Sequence, residues 1–159
     1  MPGGGESSHP RIDRDNASNG RTSAGDYPGA MRAVFTFRTA WLGVLSWFVP
    51  LVASFAFFDR HGQLLIERPL FKSIMVVVGG GIGAWLLAAA FRRITPSWRT
   101  GVALGAYWLA INLILDLAVL VPFTKMPLAL YFSDIGLRYL LIPIIAWAMG
   151  VVGARAAAP

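Results

Sequence analysis

Four apolar blocks dominate this sequence: Thr39 to Phe58, Ser73 to Phe91, Gly101 to Val121 and Ile135 to Ala154. Each is close to the roughly 20 residues that a helix rising 1.5 Å per residue needs to cross about 30 Å of hydrocarbon. Lipid offers no partner for backbone N–H and C=O groups, so a spanning segment must be a helix or part of a closed barrel. Blocks this long without alternating polarity exclude the barrel. The expected fold is all-α, a four-transmembrane-helix bundle over residues 31–159.

Composition agrees and narrows the chemistry. The chain is 56% hydrophobic and 14% charged with a mean hydropathy of +0.59, too apolar for an ordinary soluble domain. It contains no cysteine, which removes disulfides, thiolate metal sites and thiol redox chemistry. His9 and His61 both fall outside the blocks, so a haem held by two intramembrane histidines is excluded, and neither a metal nor a cofactor is expected. The net charge of +6 does not indicate nucleic acid, because the basic residues gather in the N-terminal segment and at block ends, the pattern that orients membrane proteins. Arg outnumbers Lys 12 to 2, which fits a bacterial coding sequence of high GC content.

Residues 1–30, MPGGGESSHPRIDRDNASNGRTSAGDYPGA, carry almost no large apolar side chains and are expected to be a disordered tail. The apolar block that follows is too long and starts too late for a signal peptide, and Asp13, Asp15 and Asp26 interrupt the arginines that a nucleic-acid arm would need. Arg32, Arg38, Arg92, Arg93, Arg99 and Arg155 lie at one end of the blocks, against Arg60, Arg68, Lys72 and Lys125 at the other. The asymmetry predicts a bacterial inner-membrane protein with both termini cytoplasmic. Trp41, Trp98 and Trp108 then fall near cytoplasmic ends, while Trp85 and Trp147 sit deeper and are expected to pack within the bundle.

Glycine spacing suggests how the helices meet. Gly79 and Gly83 share one face of the second block, and Gly101 and Gly105 one face of the third, where small residues let backbones approach. A phosphate-cradling loop would need water, a preceding strand and usually a nearby lysine, all missing here. Pro50 and Pro143 interrupt the first and fourth blocks and are expected to kink them.

The most informative polar residue is Asp116, in the stretch INLILDLAVLV. A carboxylate near the middle of a spanning helix costs roughly 2.5 to 3.5 kcal/mol on insertion scales, so it needs a partner or a purpose. Asn112 stands on the same helical face, and the following block carries Asp134 and Arg138. If the last two blocks form an antiparallel pair folded about Pro127, Asp116 and Arg138 come to similar depth. A polar cluster of Asn112, Asp116, Asp134 and Arg138 is therefore expected, with an Asp116–Arg138 ion pair setting register between helices three and four.

Two chemical alternatives use the same residues. A membrane aspartyl hydrolase would employ Asp116 and Asp134 as a catalytic pair, and the size, topology and aspartate placement resemble the lipoprotein signal peptidase family. That family's Asn-x-x-Asp-Arg and Asn-x-x-Asp motifs are not matched by NLILD or YFSD. A small transporter or proton-coupled subunit would use Asp116 as a protonatable site, but unlike small multidrug transporters the first block contains no charge. A broader likeness runs from Glu67 to Gly150, through ERPLFKSIMVVVG, NLILDLAVLVPF and PLALYFSDIGLRYLLIPI. It resembles a group of small, uncharacterised bacterial four-helix membrane proteins and implies a fold without a reaction. The expected role is structural, accessory or interaction rather than enzymatic, with the lipid bilayer, other membrane proteins or a second copy as partners.

Overall fold

The computed structural model describes residues 27–125 and 127–157. The expected tail lies mostly outside them, but Tyr27 to Ala30 belong to a helix, α1 (Tyr27–Val34). The spans that follow run as α2 (Phe37–Ser54) with a 3-10 turn to Phe57, α3 (Arg68–Phe91), α4 (Trp98–Leu115) with a π turn over Asp116–Leu120, and finally a 3-10 turn over Gly136–Leu140 leading into α7 (Leu141–Ala156). Between the third and fourth spans lie two short helices, α5 (Val121–Thr124) and α6 (Leu128–Asp134). Four helical stretches of 21, 24, 23 and 21 residues are long and apolar enough to cross a membrane. The fold is all-α.

The spans form a ring in the order α2, α3, α7, α4. Helix α4 packs most extensively on α7, α2 packs on both α3 and α4, and α3 meets α7. Two spans begin with the same local device. Thr36 and Thr39 cap α2 reciprocally, side chain to backbone in both directions, and Ser97 and Thr100 do the same for α4. Each box satisfies N–H groups that a helix start leaves without partners.

At the opposite end, α2 turns back through a tight loop. The Asp59 carboxylate accepts from the His61 and Gln63 N–H groups at 2.8 and 2.7 Å, and Gly62 takes a positive φ of 74° that disfavours a side chain.

Proline positions explain where the last two spans depart from simple helices. Pro122 lacks an N–H, and its ring would press on the carbonyl one turn earlier. The preceding turn widens into π geometry, with Val121 N–H reaching Asp116 O. Pro143 does not sit within one continuous α-helix as expected. It falls in the first turn of α7, after the 3-10 segment, where a missing N–H costs little.

The glycine contacts separate into those that matter and those that do not. A Cβ on Gly101 would lie 2.5 Å from the Ala146 carbonyl oxygen, one on Gly105 would overlap the Pro143 backbone, and one on Gly150 would overlap the Ser97 carbonyl. The α4–α7 seam is therefore backbone against backbone. Gly79 and Gly83 do not form the close face anticipated for the second span: a Cβ on Gly83 would meet nothing within 4 Å, and one on Gly79 only Pro50 at 3.9 Å. On α3 it is Gly80 that faces a neighbour, Leu141 at 3.2 Å. The tryptophans also depart from expectation. Trp108 is fully buried, whereas Trp85 is 71% and Trp147 49% exposed and so point out of the bundle.

Candidate functional site

A polar seam joins α2 to α4. On α2, Thr39, Gly43, Ser46 and Trp47 follow one another at helical spacing, and on α4 and its π extension so do Trp108, Asn112 and Asp116. The two rows interlock. The Trp108 indole N–H donates to the Thr39 carbonyl at 2.9 Å, and Gly43 leaves room for that ring, since a Cβ there would meet Trp108 Cδ1 at 3.1 Å. Asn112 Nδ2 donates to the Trp108 carbonyl at 2.8 Å and to Ser46 Oγ at 3.2 Å, with the Gly43 carbonyl 3.5 Å away. The two carbonyls require a donor at that position, which fixes the amide orientation. Asn112 Oδ1, also buried, has no hydrogen-bond partner among the described residues.

Asp116 completes the seam. It is 1% exposed, and both carboxylate oxygens are engaged: Trp47 Nε1 donates to Oδ1 at 2.6 Å and the Tyr131 hydroxyl to Oδ2 at 2.9 Å. Tyr139, at the start of the last span, has its hydroxyl near enough to interact with the same carboxylate. At 1.5 Å per residue the carboxylate sits about 6 Å inside the end of its span. Helix α6 closes the site by folding Tyr131 inward until it is fully buried, its ring edge-on to Phe132 at 5.1 Å. Tyr131 lies outside the four spans, and burial first, then its hydrogen bond to Asp116 and the carboxylate's charge, push its phenol well above the ordinary range. It therefore remains a donor.

The expected cluster of Asn112, Asp116, Asp134 and Arg138 is only partly assembled. Asn112 and Asp116 share the seam, but the Asp116–Arg138 ion pair does not form: both residues are described, and the carboxylate's partners are Trp47 and Tyr131. Equal depth for the two charges requires two uninterrupted helices. The π turn, α5, α6 and the 3-10 turn instead aim Asp116 at α2 and leave Arg138 half-buried on the 3-10 segment. Asp134 ends α6, and its side chain lies outside what the structure describes. Among the described residues no three His, Asp or Glu side chains converge as a metal site would require.

Residue-level reading missed Trp47 and Tyr131. A signal for Trp47 was present: Trp47 and Trp108 each stand eleven residues after a capping hydroxyl, in TFRT at 36–39 and SWRT at 97–100. The first block contains no charge, yet Thr39, Gly43, Ser46 and Trp47 give it a small, hydrogen-bonding face.

Fold and seam together define a class, a small multi-pass membrane protein of four helices. No protein-family model matches this chain, and neither a curated protein nor a solved structure is significantly similar to it.

Proposed function

We propose that this is a structural or accessory protein of the bacterial inner membrane, with both termini cytoplasmic, no catalytic centre, and lipid together with other membrane proteins or a second copy as partners. One observation carries the reading: the intramembrane carboxylate is spent on holding helices, since both oxygens of Asp116 accept from protein donors and almost none of the residue is exposed. A hydrolytic aspartate must reach water and substrate, and a carrier must release its proton to a path. The π turn at Asp116 favours one rival, a small transporter or proton-coupled subunit, because such turns recur at functional sites. Pro122 accounts for this one locally.

Two experiments test the proposal. Proteoliposomes bearing the full chain should dissipate an imposed pH gradient no faster than empty liposomes. A flux that disappears in a folded Asp116→Asn variant would establish the rival instead. Orientation is tested with single cysteines in this cysteine-free chain. In intact cells, His61→Cys, in the turn after α2, should react with an impermeant maleimide, while Ala157→Cys should react only after permeabilisation. The reverse pattern overturns the assignment of the basic end to the cytoplasm.

A further inference from the structure

The basic end of the bundle carries a groove of about 260 Å³ lined by Ala33, Thr36, Arg38, Thr39, Leu42, Ala90, Arg93 and Ile94. Its apolar lining comes from α1, α2, α3 and Ile94 in the connection that follows α3. Its two charges come from different elements: Arg38 from the first turn of α2, and Arg93 from the connection after α3. Both guanidinium-bearing residues are exposed, and neither has an ion-pair partner among the described residues. The groove lies where the first span begins and the second ends; a span matched to the hydrocarbon thickness puts such an end near the boundary between acyl chains and headgroups.

Unpaired positive charge beside an apolar channel at that depth complements one kind of molecule, an amphiphile with an anionic head. We propose that this groove is a binding site for an anionic phospholipid, its phosphate held between Arg38 and Arg93 and an acyl chain lying along Leu42 and Ala90. Guanidinium groups suit the phosphate because each can present two N–H donors to its oxygens. The site goes beyond the proposed accessory role and rests only on the chain being a membrane protein. A second groove of about 370 Å³, lined by Ala30, Met31, Ser97, Trp98, Arg99, Thr100, Val102 and Ala103, overlies the equivalent cap of α4. Both grooves are thus built around a hydroxyl-aromatic-Arg-Thr start of a span, Thr36–Thr39 and Ser97–Thr100.

The test is native mass spectrometry of the full chain in detergent, titrated with phosphatidylglycerol, phosphatidylcholine or glycerol 3-phosphate. Phosphatidylglycerol should bind best. Arg38→Gln/Arg93→Gln should weaken it by about tenfold or more, since each basic residue near an anionic lipid surface contributes on the order of a kcal/mol. Arg38→Lys/Arg93→Lys should retain most of the binding, and Arg92→Gln, outside the groove, should leave it unchanged. Melting temperatures of all variants distinguish lost binding from lost folding. Equal binding of the two lipids, or undiminished binding by a folded Gln/Gln variant, would overturn the site. Glycerol 3-phosphate binding as tightly as the lipid would reduce it to a phosphate site without an acyl channel. Phosphatidylglycerol binding that emerges only with Asp13→Asn/Asp15→Asn/Asp26→Asn would mean that this chain's own carboxylates occupy the groove, and the lipid assignment falls.

Discussion

Gly105→Ala should sharply lower both the folded yield and the thermal stability of the protein in mild detergent. The added Cβ would overlap the Pro143 backbone and also crowd the Ala146 side chain at 3.1 Å, on the most extensive helix interface in the bundle. Flexible side chains can move aside, but two helical backbones in contact must separate along their length. Overpacking typically costs 1 to 3 kcal/mol, and a collision with main chain lies at or above about the top of that range. Gly150→Ala should behave alike through Ser97, whose carbonyl caps the same seam. Gly83→Ala is the contrasting arm. Its Cβ enters open space, and alanine exceeds glycine in helix propensity by about 0.8 to 1 kcal/mol, so this change should be neutral or stabilising. Equal melting temperatures for Gly105→Ala and wild type would refute the backbone-on-backbone seam.

The second large effect belongs to Asp116. Asp116→Ala strips the acceptor from two donors at once, the Trp47 indole and the Tyr131 phenol, and should cost about 3 kcal/mol or more, given roughly 1.5 to 3 kcal/mol for a hydrogen bond to a charged group. Interhelical hydrogen bonds between neutral groups in membranes average only about 0.6 kcal/mol, so a loss of that small size would indicate that the carboxylate contributes no more than an ordinary polar contact. Trp47→Phe and Tyr131→Phe should each lose part of the same energy. Their effects in the Asp116→Ala background should be much smaller than in wild type, because the partner is already gone. Arg138→Gln should change stability by less than about 0.5 kcal/mol, as befits a residue outside the seam. Strong coupling of Asp116 to Arg138, with none to Trp47, would reinstate the ion-pair arrangement and discard the observed one.

Much of the architecture was legible because membrane insertion imposes a length rule. Each block had to be helical and about 20 residues long, and the structure keeps all four within a few residues of the expected limits, apart from the earlier start of α3 at Arg68. That extension follows from Pro69 in the first turn, a position where proline starts helices rather than breaking them. Asp116 and Asn112 also stood out, since a polar side chain in an apolar helix demands an explanation. Their partners did not, because hydrophobicity marks which residues enter the membrane but not which helix each one faces.

The sequence by itself determined the class of the fold, the number of spans, and the presence of a buried carboxylate in the third span. These depend on local propensity and on transfer from water to lipid, both set residue by residue. Tertiary structure alone decided that Asp116 turns to α2 and not to Arg138, that Gly101, Gly105 and Gly150 rather than Gly83 lie against a neighbouring backbone, and that Trp85 and Trp147 point out of the bundle while Trp108 fills the core. Each depends on the azimuth of a helix within the ring, and one π turn or one 3-10 turn rotates everything beyond it. In four helices that are apolar over most of their surface, the fit of backbones and a few hydrogen bonds choose that rotation.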